Sequence, residues 1–357
     1  MTAILSIAFL AAASARLASA ATYYVDPNGN DSNSGAQSAP WKTLSNACSR
    51  VTTAGNTIYI NAGNYTDNNS CSLAVGVNIQ GAGASSVKIT SAYGGGSNSG
   101  YINISGDAAA NPIQHGNNDI SGFTLDGSNK TLAVGIRVKG RDYITIHDMK
   151  LQHIKRHAIS LAGWDNWPDY NTATTTPPTA WGLNDVIHDV TIDDCSSETS
   201  DTTNDRLGAI TLTALADCQI YNVTINENYP NHGTAIKAVV GWLQGFKLYN
   251  STINADHGNT DSFVLETYNF QGDSEIYNCT FNHFISLNGG RTTLVSGSSW
   301  NLKIHDNTFN LSGFANTAGN EFSHNWLNVY NNYFYGSNGP AAGLWSTNYL
   351  TSAGVSH

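Results

Sequence analysis

The sequence predicts an all-β fold, a right-handed parallel β-helix solenoid with a short N-terminal capping helix. Three observations predict it: a phrase that recurs along the chain, a second strand motif that recurs in step with it, and a turn-rich, weakly charged composition. The phrase reads Ile146, His147, Asp148, then Ile187, His188, Asp189, and Ile220, Tyr221, Asn222. It returns as Leu248, Tyr249, Asn250, as Ile276, Tyr277, Asn278, as Ile304, His305, Asp306 and as Val329, Tyr330, Asn331. The Asp/Asn positions advance by 41, 33, 28, 28, 28 and 25 residues.

Within each phrase an aliphatic residue, a ring and an Asn or Asp alternate with the period of two that marks a strand. Asn and Asp tolerate the left-handed backbone of a sharp corner. An apolar residue follows three places on in most copies, as at Leu151, Ile192, Ile225, Ile253, Phe281 and Phe309. One coil cannot bury its own apolar side, so coils must stack. The equal steps of 28 suit a coil of three short strands and one longer loop, and the steps of 41 and 33 mark loop insertions. A propeller blade needs about 40 residues or more and fits less well.

The second strand motif appears at residues 135–138, 158–161, 209–212, 235–238, 264–267 and 284–287. Alternation places Arg137, Ser160, Thr211, Lys237, Glu266 and Ser286 in one outward column. Only 12% of residues are charged, while 17 Tyr, 11 Phe and 8 Trp argue against disorder.

The N-terminal part differs. Residues 1–20 read as a signal peptide: residues 5–13 are mainly apolar, and Ala18, Ser19 and Ala20 make a small-residue cleavage signature. The apolar run is too short to span a bilayer, so a secreted protein without a membrane partner is expected. Residues 21–357 then form one β-helix domain, with 21–75 as N-terminal cap and first coil. Strands are expected at 22–25 and 57–60. The run from Trp41 to Cys48, continued to Val51, has helical apolar spacing and would cover the exposed end of the solenoid.

Five cysteines are present. In an exported protein Cys48 pairs with Cys71 near the cap; Cys195 and Cys218, about one repeat apart, are candidates for neighbouring coils, which leaves Cys279 as a buried small hydrophobe.

The segment Tyr23, Tyr24, Val25, Asp26, Pro27, Asn28, Gly29, Asn30, Asp31 is followed by Pro40, Trp41, Lys42, Thr43. Then comes Thr57, Ile58, Tyr59, Ile60, Asn61, Ala62, Gly63, Asn64, Tyr65. Together they resemble the start of the pectate-lyase-like β-helix proteins, which include polysaccharide lyases, glycoside hydrolases, epimerases and phage tailspikes. The resemblance extends over nearly all of the mature chain and implies the fold. It brings no catalytic motif, so no catalytic residue is carried over from it.

The net charge of −10 disfavours nucleic acid, whose phosphates need a basic surface. It does not exclude an acidic polymer held by a local basic column or by Ca²⁺, the one candidate cofactor. The candidate catalytic patch is Arg206, Lys237, Glu266, Tyr268 and Arg291, with Asn288 beside it as a substrate contact. This set suits β-elimination on a uronate polysaccharide. A cation neutralises the carboxylate, and a Lys, His or Tyr takes the neighbouring proton. The competing reading is an exposed Lys237–Glu266 ion pair, worth less than ~1 kcal/mol.

His232 and His257 precede strands and offer a base or a metal ligand, or simply bond a turn. His147, His188 and His305 alternate with Tyr in the ladder and read as stacking residues. Trp164, Trp167 and Trp181, in a proline-containing insertion, and Trp242 offer flat faces for sugars or for packing. Asp201, Asp205 and Asp261 are candidate Ca²⁺ ligands. Asp205 with Asp261 or Glu266 is alternatively a glycosidase carboxylate pair. The functional expectation is a secreted, monomeric lyase of an acidic polysaccharide, with a glycoside hydrolase and a non-catalytic adhesion solenoid as alternatives.

Overall fold

The computed structural model describes residues 20–95, 99–106, 114–163, 178, 180–195, 208–227, 234–255, 264–282, 285–287, 301–310, 321–322, 327–335 and 350–354. Among the described residues every paired strand runs parallel to its neighbour. Antiparallel propeller blades are thereby excluded. The strands form a larger and a smaller sheet plus one isolated strand pair, and the fold is a right-handed parallel β-helix.

The larger sheet holds two strand segments per coil with the predicted corner between them. All seven corner residues are left-handed, with φ between 51° and 55° at Asp148, Asp189, Asn222, Asn250, Asn278, Asp306 and Asn331. Before the corner, one aliphatic column runs in register from Ile58 through Ile79, Ile120, Ile146, Ile187, Ile220, Leu248, Ile276 and Ile304 to Val329. None of these residues is more than 2% exposed. After the corner, Leu125, Leu151, Ile192, Ile225, Ile253, Phe281 and Phe309 form a second column. The smaller sheet supplies the third, Ile102, Ile136, Ile159, Ile210, Ile236, Leu265 and Ile285. Three inward columns converge on one continuous apolar axis, which is why no coil is stable alone.

At the N-terminal end the strands Thr22–Val25 and Thr57–Ile60 pair residue for residue. A helix follows the first strand at Leu44–Arg50, with Leu44, Ala47 and Cys48 buried. It starts three residues later than the apolar spacing suggests. Thr43 is its extended N-cap, accepting from the Asn46 N–H, and Trp41 instead bridges to Val25. The Cys48–Cys71 disulfide ties this helix to the smaller sheet.

Cys195 and Cys218 do not pair; both are free and buried. They fall at opposite ends of the strand Val186–Asp193. Cys195 donates its backbone N–H to Glu227, whereas Cys218 precedes Gln219, the register partner of Val186. Cys279 is buried, as expected.

Candidate functional site

On the smaller sheet the register links Ser72, Asn103, Arg137, Ser160, Thr211, Lys237, Glu266, Ser286 and Glu321 as successive partners. The column read from alternation therefore exists, and Lys237 and Glu266 are direct neighbours across adjacent strands. Neighbouring strands lie about 4.8 Å apart, which sets Arg137 roughly 14 Å from Lys237 along the column. Arg137 is partly exposed. Ser160 and Thr211 are only 2% and 4% exposed, contrary to the open wall expected of them. Both strands, His157–Ala162 and Gly208–Thr213, are buried on both faces. Alternation fixes the side a residue takes, not whether that side is covered.

Beside Lys237 the ladder breaks. Pairing of the strand Thr234–Gln244 with Leu265–Gln271 runs to Ala238 and Thr267, then resumes at Trp242 and Asn269. Residues 239–241 stand opposite the single residue Tyr268. Such a bulge bends a strand and re-aims its side chains, and bulges are frequent next to active sites. One expectation is corrected where pairing resumes: Trp242 is 2% exposed and thus offers no open face to a sugar.

Trp181 is half-buried at the end of the predicted insertion. Arg206, Arg291, His232, His257, Asn288, Trp164, Trp167, Asp201, Asp205 and Asp261, and residues 1–19 of the expected signal peptide, lie outside the described residues. Among the described residues no group of three or more His, Cys, Asp or Glu is gathered as a metal site.

A cleft of about 790 Å³ lies away from this column, on the larger sheet. Tyr59, Gln80, the 81–85 turn, His147, Asp148, Lys150, Asp189 and Thr191 line it. Lys150 is tied to Asp193 at 2.7 Å, and His147 to Asp148 at 2.6 Å. Sequence reading missed this cleft because its walls come from coils whose spacing is irregular. It also missed the pairing of His115 with Asp142, at 2.8 Å. Neither residue belongs to a repeat phrase, so nothing in the sequence singled them out.

The backbone architecture decides the fold comparison. The chain is a right-handed parallel β-helix. A family model described as Protein of unknown function (DUF1565) matches residues 27–188. This β-helix is similar to the alginate lyase from Paenibacillus sp. str. FPU-7, at 14% identity and a TM-score of 0.54, over 91% of this chain and 98% of that one. It is similar to the tailspike protein of E. coli bacteriophage HK620, at 13% identity and a TM-score of 0.51, over 78% of this chain and 50% of the tailspike. A lacto-N-biosidase from Eubacterium ramulus aligns at 12% identity and a TM-score of 0.50, over 89% and 67%. No curated protein sequence matches the chain.

Proposed function

We propose that this β-helix is a secreted carbohydrate-active enzyme that cleaves an acidic, uronate-containing polysaccharide by β-elimination. The observation that carries the reading is the Lys237–Glu266 register pair beside a bulge on one column of the smaller sheet. The resemblance of its fold to a protein named as an alginate lyase supports the same reading. Lys237 is the proposed base. Arg206 and Arg291, or a Ca²⁺ held by Asp201, Asp205 and Asp261, are the proposed carboxylate binders. Neutralising the carboxylate acidifies the adjacent C–H, and the base then removes that proton as the glycosidic oxygen leaves. Tyr268, His232 and His257 are the alternative bases, and Trp164, Trp167 and Trp181 the proposed sugar platforms.

The test is incubation with alginate and pectate while following ultraviolet absorbance of the unsaturated product. Absorbance should rise, and Lys237→Ala should abolish the rise without moving the thermal transition. Full activity in that variant removes Lys237 from the mechanism. Activity lost to a chelator assigns the carboxylate to Ca²⁺ rather than to Arg and Lys.

One observation favours a second reading, a glycoside hydrolase. Glu266 and Glu321 share the column with only Ser286 between them. Two strand steps set their backbones about 9.5 Å apart, close to the carboxyl spacing of about 6.5–9.5 Å in inverting enzymes. New reducing ends without the absorbance would select it.

A further inference from the structure

A second cluster lies on the remaining side of the early coils. The short strands Gln114–His115 and Arg141–Asp142 pair in parallel, with His115 opposite Asp142. His115 Nδ1 sits 2.8 Å from Asp142 Oδ1; the imidazole side chain is 59% exposed and the carboxylate 2%. The other oxygen of Asp142 accepts the Leu183 N–H from the next coil. A carboxylate held this way fixes the ring orientation through Nδ1 while most of the imidazole stays open to solvent. Behind it Asp185 is fully buried and accepts the Ile144 N–H. Burial, reinforced by Asp142, pushes the Asp185 carboxyl well above the usual range.

Tyr143 completes the cluster. It packs edge-on against His115 at 4.7 Å and is 38% exposed. Its backbone is left-handed, with φ 55°, a conformation that is an outlier for a bulky side chain and gathers at functional sites. Arg137, Lys139 and Arg141 alternate with buried Val138 and Gly140, and all three cations are partly exposed. A chain of net charge −10 thus carries three cations within residues 137–141, and the last of them, Arg141, pairs in register with Gln114 beside His115.

We propose that this patch is a second glycan-binding site for an acidic sugar, with His115 Nε2 accepting from a ring hydroxyl, Tyr143 stacking on the sugar face and Arg141 with Lys139 holding the carboxylate. Asp142 is a positioning residue, because it reaches the sugar only through His115. The site is distinct from the Lys237 column and requires no turnover, so it stands or falls separately from the cleavage reading.

The test is isothermal titration of the Lys237→Ala protein with tetragalacturonate, tetramannuronate and neutral cellotetraose. At least one acidic tetrasaccharide should bind, and cellotetraose should bind more weakly. Adding His115→Ala or Tyr143→Asn, the latter chosen because Asn accepts the left-handed backbone, should raise the Kd about tenfold at an unchanged thermal transition. Adding Arg141→Gln should narrow the gap between acidic and neutral ligands. Absence of binding by both acidic ligands overturns the proposal, as does equal binding of cellotetraose. Unchanged affinity in both His115→Ala and Tyr143→Asn also overturns it.

Discussion

At Asn250 the backbone turns with φ 52°, a conformation that costs most L-residues ~1–2 kcal/mol and Asn less. Asn250→Ala should therefore lower the unfolding free energy by about 1–2 kcal/mol, whereas Asn250→Gly should cost much less. Equal losses in thermal denaturation would place the stabilisation in the side chain rather than the corner. Glu227 poses the opposite problem, a polar group where the fold wants none. It is fully buried; one oxygen accepts the Cys195 N–H, and Oε2 has no hydrogen-bond partner among the described residues. Burial raises its carboxyl well above the usual range, against the lowering effect of that N–H and with Asp194 adding to the rise. The sign follows from linkage. The folded state holds the proton more tightly than the unfolded one, so the contribution is fully present below the unfolded pKa, about 4.3. It is lost as pH rises from there toward the folded value. Glu227→Gln should melt close to wild type near pH 4 and increasingly above it toward pH 8. A difference independent of pH would show that Glu227 does not titrate between the two states.

Along each strand the ring before the corner stacks on the next coil's ring. His147, His188, Tyr221, Tyr249, Tyr277, His305 and Tyr330 lie 4.7–5.3 Å apart, within 12° of coplanar. The choice of ring follows the corner residue. Each His precedes an Asp and holds its carboxylate at 2.6–2.7 Å, and each Tyr precedes an Asn. The His188 bond is the main reason Asp189 stays below the usual carboxylate range. Aromatic pairs contribute ~0.5–1.5 kcal/mol each, and Tyr249 makes two, so Tyr249→Ala should cost roughly 1–3 kcal/mol. The double change Tyr249→His with Asn250→Asp should recover most of that in calorimetry; no recovery would deny the ladder its pairing rule. Corner, ring and apolar column were legible in the sequence because each recurs and repetition reports register. His115 with Asp142, and Glu227 with Cys195, occur once each, so only folding reveals them. Trp242 was misread for a related reason: an aromatic residue in the sequence does not report whether its ring is covered, and Trp242 is 2% exposed.

Over the whole molecule strand pairing joins each coil to the coils beside it, so stability is close to a sum of coil and interface terms. The 28-residue step from Asn222 to Asn250 makes this testable. Deleting residues 223–250 joins Asn222 to Ser251, the residue that already follows an identical left-handed corner at Asn250. Ile253 then falls where Ile225 was, against Ile192, and Leu265 replaces Ile236 against Ile210. All three apolar columns close. The chief local loss is at Cys195, whose N–H exchanges the Glu227 carboxylate for Ala255. One unsatisfied buried N–H costs about 1–3 kcal/mol. The shortened chain should keep its strand signal in circular dichroism and unfold cooperatively at a lower temperature. It should also lose cleavage of uronate polysaccharides, because the deletion removes Lys237 and the bulge and sets Glu266 against Thr211. Retained cleavage would move the chemistry off this column, and an unfolded product would show that the coils depend on more than their neighbours.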